Sequence, residues 1–171
     1  MLDRQRIQDY RERGYLVLEG FKSAAEIAAV RDRALAIVEA FERLQPAGVE
    51  RLGEIYTDDA RFKDPFNEVS GLPAIQRIFT HMFSQVAEPR FHIEESIVAD
   101  NGAMLAWTFH YRMPRLGGGG NQVMRGASHL RFDAAGKVNY HRDYWDAAEE
   151  LYMKLPAVGW LMRGLRRMIS A

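Results

Sequence analysis

A chain of 171 residues with 47% hydrophobic and 11% aromatic side chains can enclose a substantial single core and lies far from disordered compositions. Its 23 basic residues balance its 23 acidic ones, so nothing draws the whole molecule towards nucleic acid, and no nucleic-acid motif is present. The lack of cysteine removes disulfides, thiolate nucleophiles and sulfur-ligated metals together, and it suits a reducing compartment.

The first stretch, LDRQRIQDYRERGYLVLEGF, starts with helical spacing at Ile7 and Tyr10 and passes into the apolar run Tyr15–Leu18, punctuated by Gly14 and Gly20. It is charged and has no apolar centre, so no secretory signal is expected. No uninterrupted apolar run is long enough to span a bilayer, and a cytoplasmic protein is the expectation. SAAEIAAVRDRALAIVEAFERL opens with Ser23 and Glu26 at capping-box spacing. Ile27, Val30, Ala34, Ile37, Val38 and Phe41 then share one helical face, which predicts a long amphipathic helix broken at Pro46 and Gly48. GVERLGEIYTDD predicts a second, short helix with Val49, Leu52, Ile55 and Tyr56 on one side. In ARFKDPF, Phe62, Asp64 and Phe66 alternate with Arg61 and Lys63, and Pro65 marks an edge strand or a strand end. GLPAIQRIFTHMFSQV predicts a third helix with Pro73 in its first turn.

Four strands follow: RFHIEESIVAD, AMLAWTFHYRM, NQVMRGASHLRFD and KVNYHRDYWD. Asp100–Gly102, the glycine tract 117–120 and Asp133–Gly136 separate them as hairpin connections. DAAEELYMKLP and AVGWLMRGLRRMISA close the chain as helical segments split by Pro156. Helices followed by a meander of antiparallel strands is an α+β layout, in which a strongly curved sheet with helices on its concave side encloses a cone.

The last strand sets the functional question. Alternation puts His141, Asp143 and Trp145 on one face and Tyr140, Arg142 and Tyr144 on the other, and the period alone does not choose which is inside. Side chains at i and i+2 are neighbours, so Asp143 can hold one imidazole tautomer of His141. Asp64 is either a turn-forming residue before proline or a carboxylate desolvated between Phe62 and Phe66, with its pKa raised into the range of a general base. His81, His92, His110 and His129 read as surface or interface histidines, the last two on the convex face beside Thr108, Arg125 and Arg131. In WLMRGLRRMIS the apolar Trp160, Leu161, Leu165, Met168 and Ile169 lie among arginines. That pattern predicts a helix docked on its own domain or on a partner subunit, with membrane-surface association as the other reading.

EIYTDDARFKDPFNEVSGLPAIQRIF, followed by the turn DAAGKV between SHLRF and an aromatic-rich strand, resembles the nuclear transport factor 2-like superfamily, in its SnoaL-like and ketosteroid isomerase-like branch. The resemblance spans residues 36–150 and leaves 1–35 as an N-terminal helical extension and 151–171 as a C-terminal amphipathic segment. It implies an NTF2-like cone, a homodimer paired through the convex face, and a pocket for a hydrophobic small molecule, with no cofactor or metal. That fold hosts isomerases, cyclases, epoxide hydrolases, dehydratases and plain binding modules, so function must be argued from the site.

Residue by residue, the resemblance places Asp64 in the Asp-Pro context of the family's general base. Ser128 stands where the isomerases carry a protonated aspartate, Ala40 or Phe41 stands near their helix phenol, and Tyr56 falls at the place of a supporting tyrosine. With two isomerase donors missing, a pocket is implied but steroid isomerisation is not. The inward set becomes Leu105, Trp107, Phe109 and Tyr111; Ser128, Leu130 and Phe132; and His141, Asp143 and Trp145. The expected wall is Tyr56, Phe62, Phe79, Phe83, Trp107, Phe109, Tyr111, Leu130 and Trp145, which suits a flat polycyclic or terpenoid ketone.

The expected chemistry is cofactor-independent proton transfer of isomerase or cyclase type. Asp64 acts as base and His141, oriented by Asp143, as donor to the enolate, with help from Tyr56 and Ser128. The alternatives are a non-catalytic binder of hydrophobic ligands and, less favoured, an epoxide hydrolase-like enzyme, since Arg142 alternates away from Asp143. RIQDYRERGYLVLEGFKSAAEIAAVRDRALAIV, in turn, resembles the opening of the iron-dependent phytanoyl-CoA dioxygenases. His141-x-Asp143 would fit such iron only with a second histidine downstream, and none follows it.

Overall fold

A computed structural model describes residues 24–99, 101–113, 120–155 and 158–169. The long amphipathic helix is α1 (Ala24–Glu42), and Ala34, Ile37 and Phe41, at helical spacing, are buried along it. Its expected capping residue, Ser23, lies outside the described residues.

The second, short helix forms as a 3-10 helix over Pro46–Glu54, with Val49 and Leu52, three apart, buried on its eclipsed side, and it ends before Ile55 and Tyr56, which were expected on its face. Tyr56 consequently leaves the helix and opens strand β1 (Tyr56–Lys63), fully buried. The strand ends before Asp64, so Phe66 does not continue its inner face and is half exposed. A three-residue strand that the sequence did not announce, β2 (Glu68–Ser70), turns back against β1. Gly71, at φ 92°, then leads into α2 (Leu72–Gln85) with Pro73 in its first turn and Ile75, Phe79 and Phe83 buried one turn apart.

The remaining strands are β3 (Ala87–Ala99), β4 (Gly102–Arg112), β5 (Asn121–Phe132) and β6 (Val138–Tyr144), close to the predicted spans. The sheet order is β2-β1-β6-β5-β4-β3, antiparallel except for the parallel pair β1–β6. Register irregularities fall in β1–β6, β3–β4 and β5–β6; each such irregularity bends a strand and sharpens its twist, as a curled sheet needs. The turn Asp133–Gly136 forms as expected, with Gly136 at φ 85° and the Asp133 carboxylate accepting from the Lys137 amide at 2.8 Å.

Leu105, Trp107, Phe109 and Tyr111 all turn inward from β4. They join Phe41 of α1 and Phe79 of α2 in two abutting apolar clusters, so the core lies between the helices and the sheet. After β6, Asp146 caps the short α3 (Ala147–Glu150), and α4 (Val158–Ile169) follows a 3-10 turn. On α4, Leu161, Leu165 and Met168 are exposed and do not dock on their own domain, while Met162 is half-buried. Among the described residues no helix is long and apolar enough to cross a membrane.

Candidate functional site

The face question of β6 has a clear answer. His141 is 3% exposed, whereas Tyr144 is exposed and carries the Arg142 guanidinium over its ring at 4.6 Å. Arg131 likewise covers Tyr140 on the outer face. Register explains the company His141 keeps: it pairs with Leu130 of β5 on one side and Phe62 of β1 on the other. Phe62 and Phe41 meet the imidazole edge-on, with centroids 5.0 and 5.5 Å away, and the Tyr56 ring stacks on it at 6.0 Å.

Surrounded by rings, both imidazole nitrogens need protein partners, since an unmatched polar atom there would forfeit its hydration. Both have them. Nδ1 bonds the Tyr56 hydroxyl, and Nε2 lies 2.7 Å from Asp143 Oδ1 and 3.2 Å from Ser128 Oγ. Ser128 pairs directly with Asp143 across β5–β6, and its hydroxyl donates to the same Oδ1 while accepting from Trp107 Nε1 at 2.9 Å.

Burial, and then the negative charge of Asp143, push the Tyr56 phenol well above its usual range, so it stays protonated and donates. Nδ1 must then accept, which assigns the remaining imidazole proton to Nε2, pointing at Asp143. The chain of donors runs from Tyr56 through His141 to Asp143 Oδ1, and separately from Trp107 through Ser128 to the same oxygen. Asp143 Oδ2 makes no hydrogen bond to the described residues.

Asp64 is not part of this network. Its Oδ1 accepts from the amides of Phe66 and Asn67 at 2.7 and 2.6 Å, and the Asn67 side-chain amide reaches both of its oxygens. The carboxylate is folded into the β1–β2 turn. Asp64 and Asp143 do border one open cleft of about 490 Å³, together with Lys63, Arg142 and Trp145. Asp143 alone of these also borders an internal void of about 20 Å³, which it shares with Phe41, Phe79, Phe91, Trp107 and His141.

The rings expected to wall a ligand chamber mostly pack on one another. Phe62 meets Phe79 and His141, and Phe109 stacks between Phe91 and Tyr111 at 4.3 and 5.0 Å. Trp145 lies against Phe66 at the cleft. The remaining void holds roughly one water molecule. Phe91 and Ile93 line it without having been anticipated; their i, i+2 spacing on a predicted strand was the available signal. Among the described residues no three His, Asp or Glu side chains group as metal ligands.

Thr108 stays on the outer face, in register with Arg125 and His92, and is nevertheless buried there. His129 is half-buried beside Arg131 and Arg142; burial, then those two charges, lower its pKa.

The sequence matches the SnoaL-like domain family over residues 36–141. No curated protein matches the chain by sequence. Among solved structures, a Jannaschia sp. CCS1 protein assigned to the SnoaL-like polyketide cyclases is 14% identical, with a TM-score of 0.66 over 81% of this chain and 99% of that one. A protein from Catenulispora acidiphila with a ketosteroid isomerase-like fold, solved with trimethylamine, is 14% identical with a TM-score of 0.60, over 70% of this chain and 89% of that one. TsrD from Streptomyces laurentii is 16% identical with a TM-score of 0.58, over 80% and 99% of the two chains. At these identities the likeness is one of fold.

Proposed function

Because the chain belongs to the SnoaL-like domain family, we propose that it is a small-molecule pocket protein performing cofactor-independent proton transfer, of isomerase or cyclase type, on a hydrophobic polycyclic or terpenoid ketone. The observation that carries this reading is the position of Asp143: one carboxylate oxygen is held by the buried His141 and Ser128, and the other makes no hydrogen bond to the described residues, while the Asp143 side chain borders the open cleft. A base held on one side and free on the other is already oriented for its proton.

In this scheme Asp143 Oδ2 takes a proton from the carbon beside the substrate carbonyl and returns it to another carbon, so that atoms and charge balance without a cofactor. His141 and Ser128 steady the carboxylate, and Tyr56 fixes the imidazole. Trp145 and Phe66 supply apolar surface for the ring system. Asp64, engaged with its own turn, shapes the cleft and takes no proton.

Deuterium wash-in beside the carbonyl of 2-decalone, carvone and a 3-keto steroid, followed by NMR in D2O, tests the scheme. Wild type should accelerate exchange in at least one probe. Asp143→Asn should lose about 10²–10⁴-fold, and Asp64→Asn should stay within about tenfold of wild type. Exchange undiminished in Asp143→Asn would remove the proposed base.

The mutual satisfaction of Tyr56, His141, Ser128 and Trp107, beside an open cleft of about 490 Å³, favours a second reading as a non-catalytic ligand binder. That reading predicts binding of the same ketones without wash-in, and with an affinity flat between about pH 5 and 8.

A further inference from the structure

We infer that α4 is a membrane-surface helix that seats its apolar stripe in the headgroup region of an anionic bilayer. Val158, Leu161, Leu165 and Met168 recur at i, i+3, i+7 and i+10, which is one line along an α-helix, and they are 42, 56, 48 and 82% exposed. Trp160 is 76% exposed and lies about 120° around the helix from the stripe, on the side of Arg163 and Arg167. Arg163, Arg166 and Arg167 lie away from the stripe, and no acidic residue occurs within the element. Arg166 and Arg167 have no carboxylate partner among the described residues. In a molecule with zero formal net charge this is a concentrated positive end.

Among the described residues, the hydrogen bonds that fasten the helix to the body lie near its start. The Gly159 amide donates to the Leu155 carbonyl at 2.9 Å, a Cβ on Gly159 would strike the Met153 carbonyl at 2.5 Å, and Arg163 Nη1 donates to that same carbonyl. Beyond that start, Trp160, Leu161, Leu165 and Met168 stand exposed, while Met162 is half-buried. Something must cover them, and their geometry favours lipid over a second copy. A helix of 12 residues is about 18 Å long and 10 Å wide, a footprint of order 200 Å², whereas a stable protein interface buries about 800 Å² per partner. A bilayer needs no such area. It takes an apolar stripe to a shallow depth, accepts an indole at the headgroup level, and rewards clustered arginines when its lipids are anionic.

The test is co-sedimentation of the full chain with vesicles of phosphatidylcholine alone or mixed equally with phosphatidylglycerol. The anionic vesicles should bind at least about tenfold more tightly, and raising salt from about 0.1 to 0.5 M should weaken that binding. Leu161→Glu/Leu165→Glu and Arg166→Glu/Arg167→Glu should each abolish it while unfolding at the wild-type temperature, since all four side chains face solvent. As a readout independent of the charge variants, brominated lipid should quench tryptophan emission in wild type and not in Trp160→Phe. Equal binding to both vesicle types, or none to either, overturns the inference. So does a dimer that Leu161→Glu/Leu165→Glu converts to monomer in sedimentation velocity without any vesicle binding.

Discussion

Across the β4–β5 ladder Gly126 faces Trp107, and a Cβ at that position would come within 2.5 Å of the indole and 2.9 Å of the Tyr144 carbonyl oxygen. The indole has little freedom to retreat, because its Nε1 is bonded to Ser128 and Phe91 packs edge-on against its ring. Gly126→Ala should therefore overpack the site, lowering stability by about 1–3 kcal/mol in urea titration and altering the near-ultraviolet signal of Trp107. An unchanged midpoint would mean that the indole moves aside freely. In the sequence Gly126 is one glycine inside an alternating strand, a signal of close approach that does not name the approaching ring. His141 and Asp143 show the same limit. Their i, i+2 spacing made them neighbours on paper, while the choice of face came from what Phe41, Phe62 and Leu130 bring from other elements.

At the scale of elements, the β1–β2 connection shows turn chemistry prevailing over alternation. Phe62, Asp64 and Phe66 look like one strand face, yet Pro65 cannot donate to a ladder, and Asp64 instead gathers the amides of Phe66 and Asn67. Asp64→Ala should cost about 1 kcal/mol of stability, and Asp64→Asn, which keeps an acceptor carbonyl, should recover most of it. Equal loss in both variants would show that the charge, not the acceptor, holds the turn. The long elements were legible because many residues repeat their period: Leu72, Ile75, Ile78, Phe79, Met82 and Phe83 in α2, and Thr108, His110 and Arg112 alternating with inward rings in the second half of β4. The 3-10 type of the short helix at Pro46–Glu54 was not, since Val49 and Leu52, three apart, fit either helix type. Nor was β2, where three residues are too few to establish a period.

For the molecule as a whole, the polar chain of Tyr56, His141, Asp143, Ser128 and Trp107 runs where the two apolar clusters meet, with Tyr56 in one and Trp107 in the other. Global stability is thereby tied to the protonation of a phenol with no exposed surface. Burial, and then Asp143, raise its folded pKa well above the usual value. In the unfolded chain the same phenol titrates near pH 10. Below that pH both states keep the proton, and its contribution is fully present. Above it the unfolded state releases a proton that the folded state retains, so stability falls by up to about 1.4 kcal/mol per pH unit until the folded phenol also ionises. Tyr56→Phe leaves His141 Nδ1 without its donor and should cost about 1–3 kcal/mol at pH 7.5, but it has no phenol to titrate. The stability gap between wild type and Tyr56→Phe, taken from urea midpoints, should therefore hold steady up to about pH 9.5 and shrink beyond pH 10. A gap that stays constant to pH 11 would show that the phenol ionises as readily in the fold as in water, and that the hydrogen bond to His141 does not hold its proton.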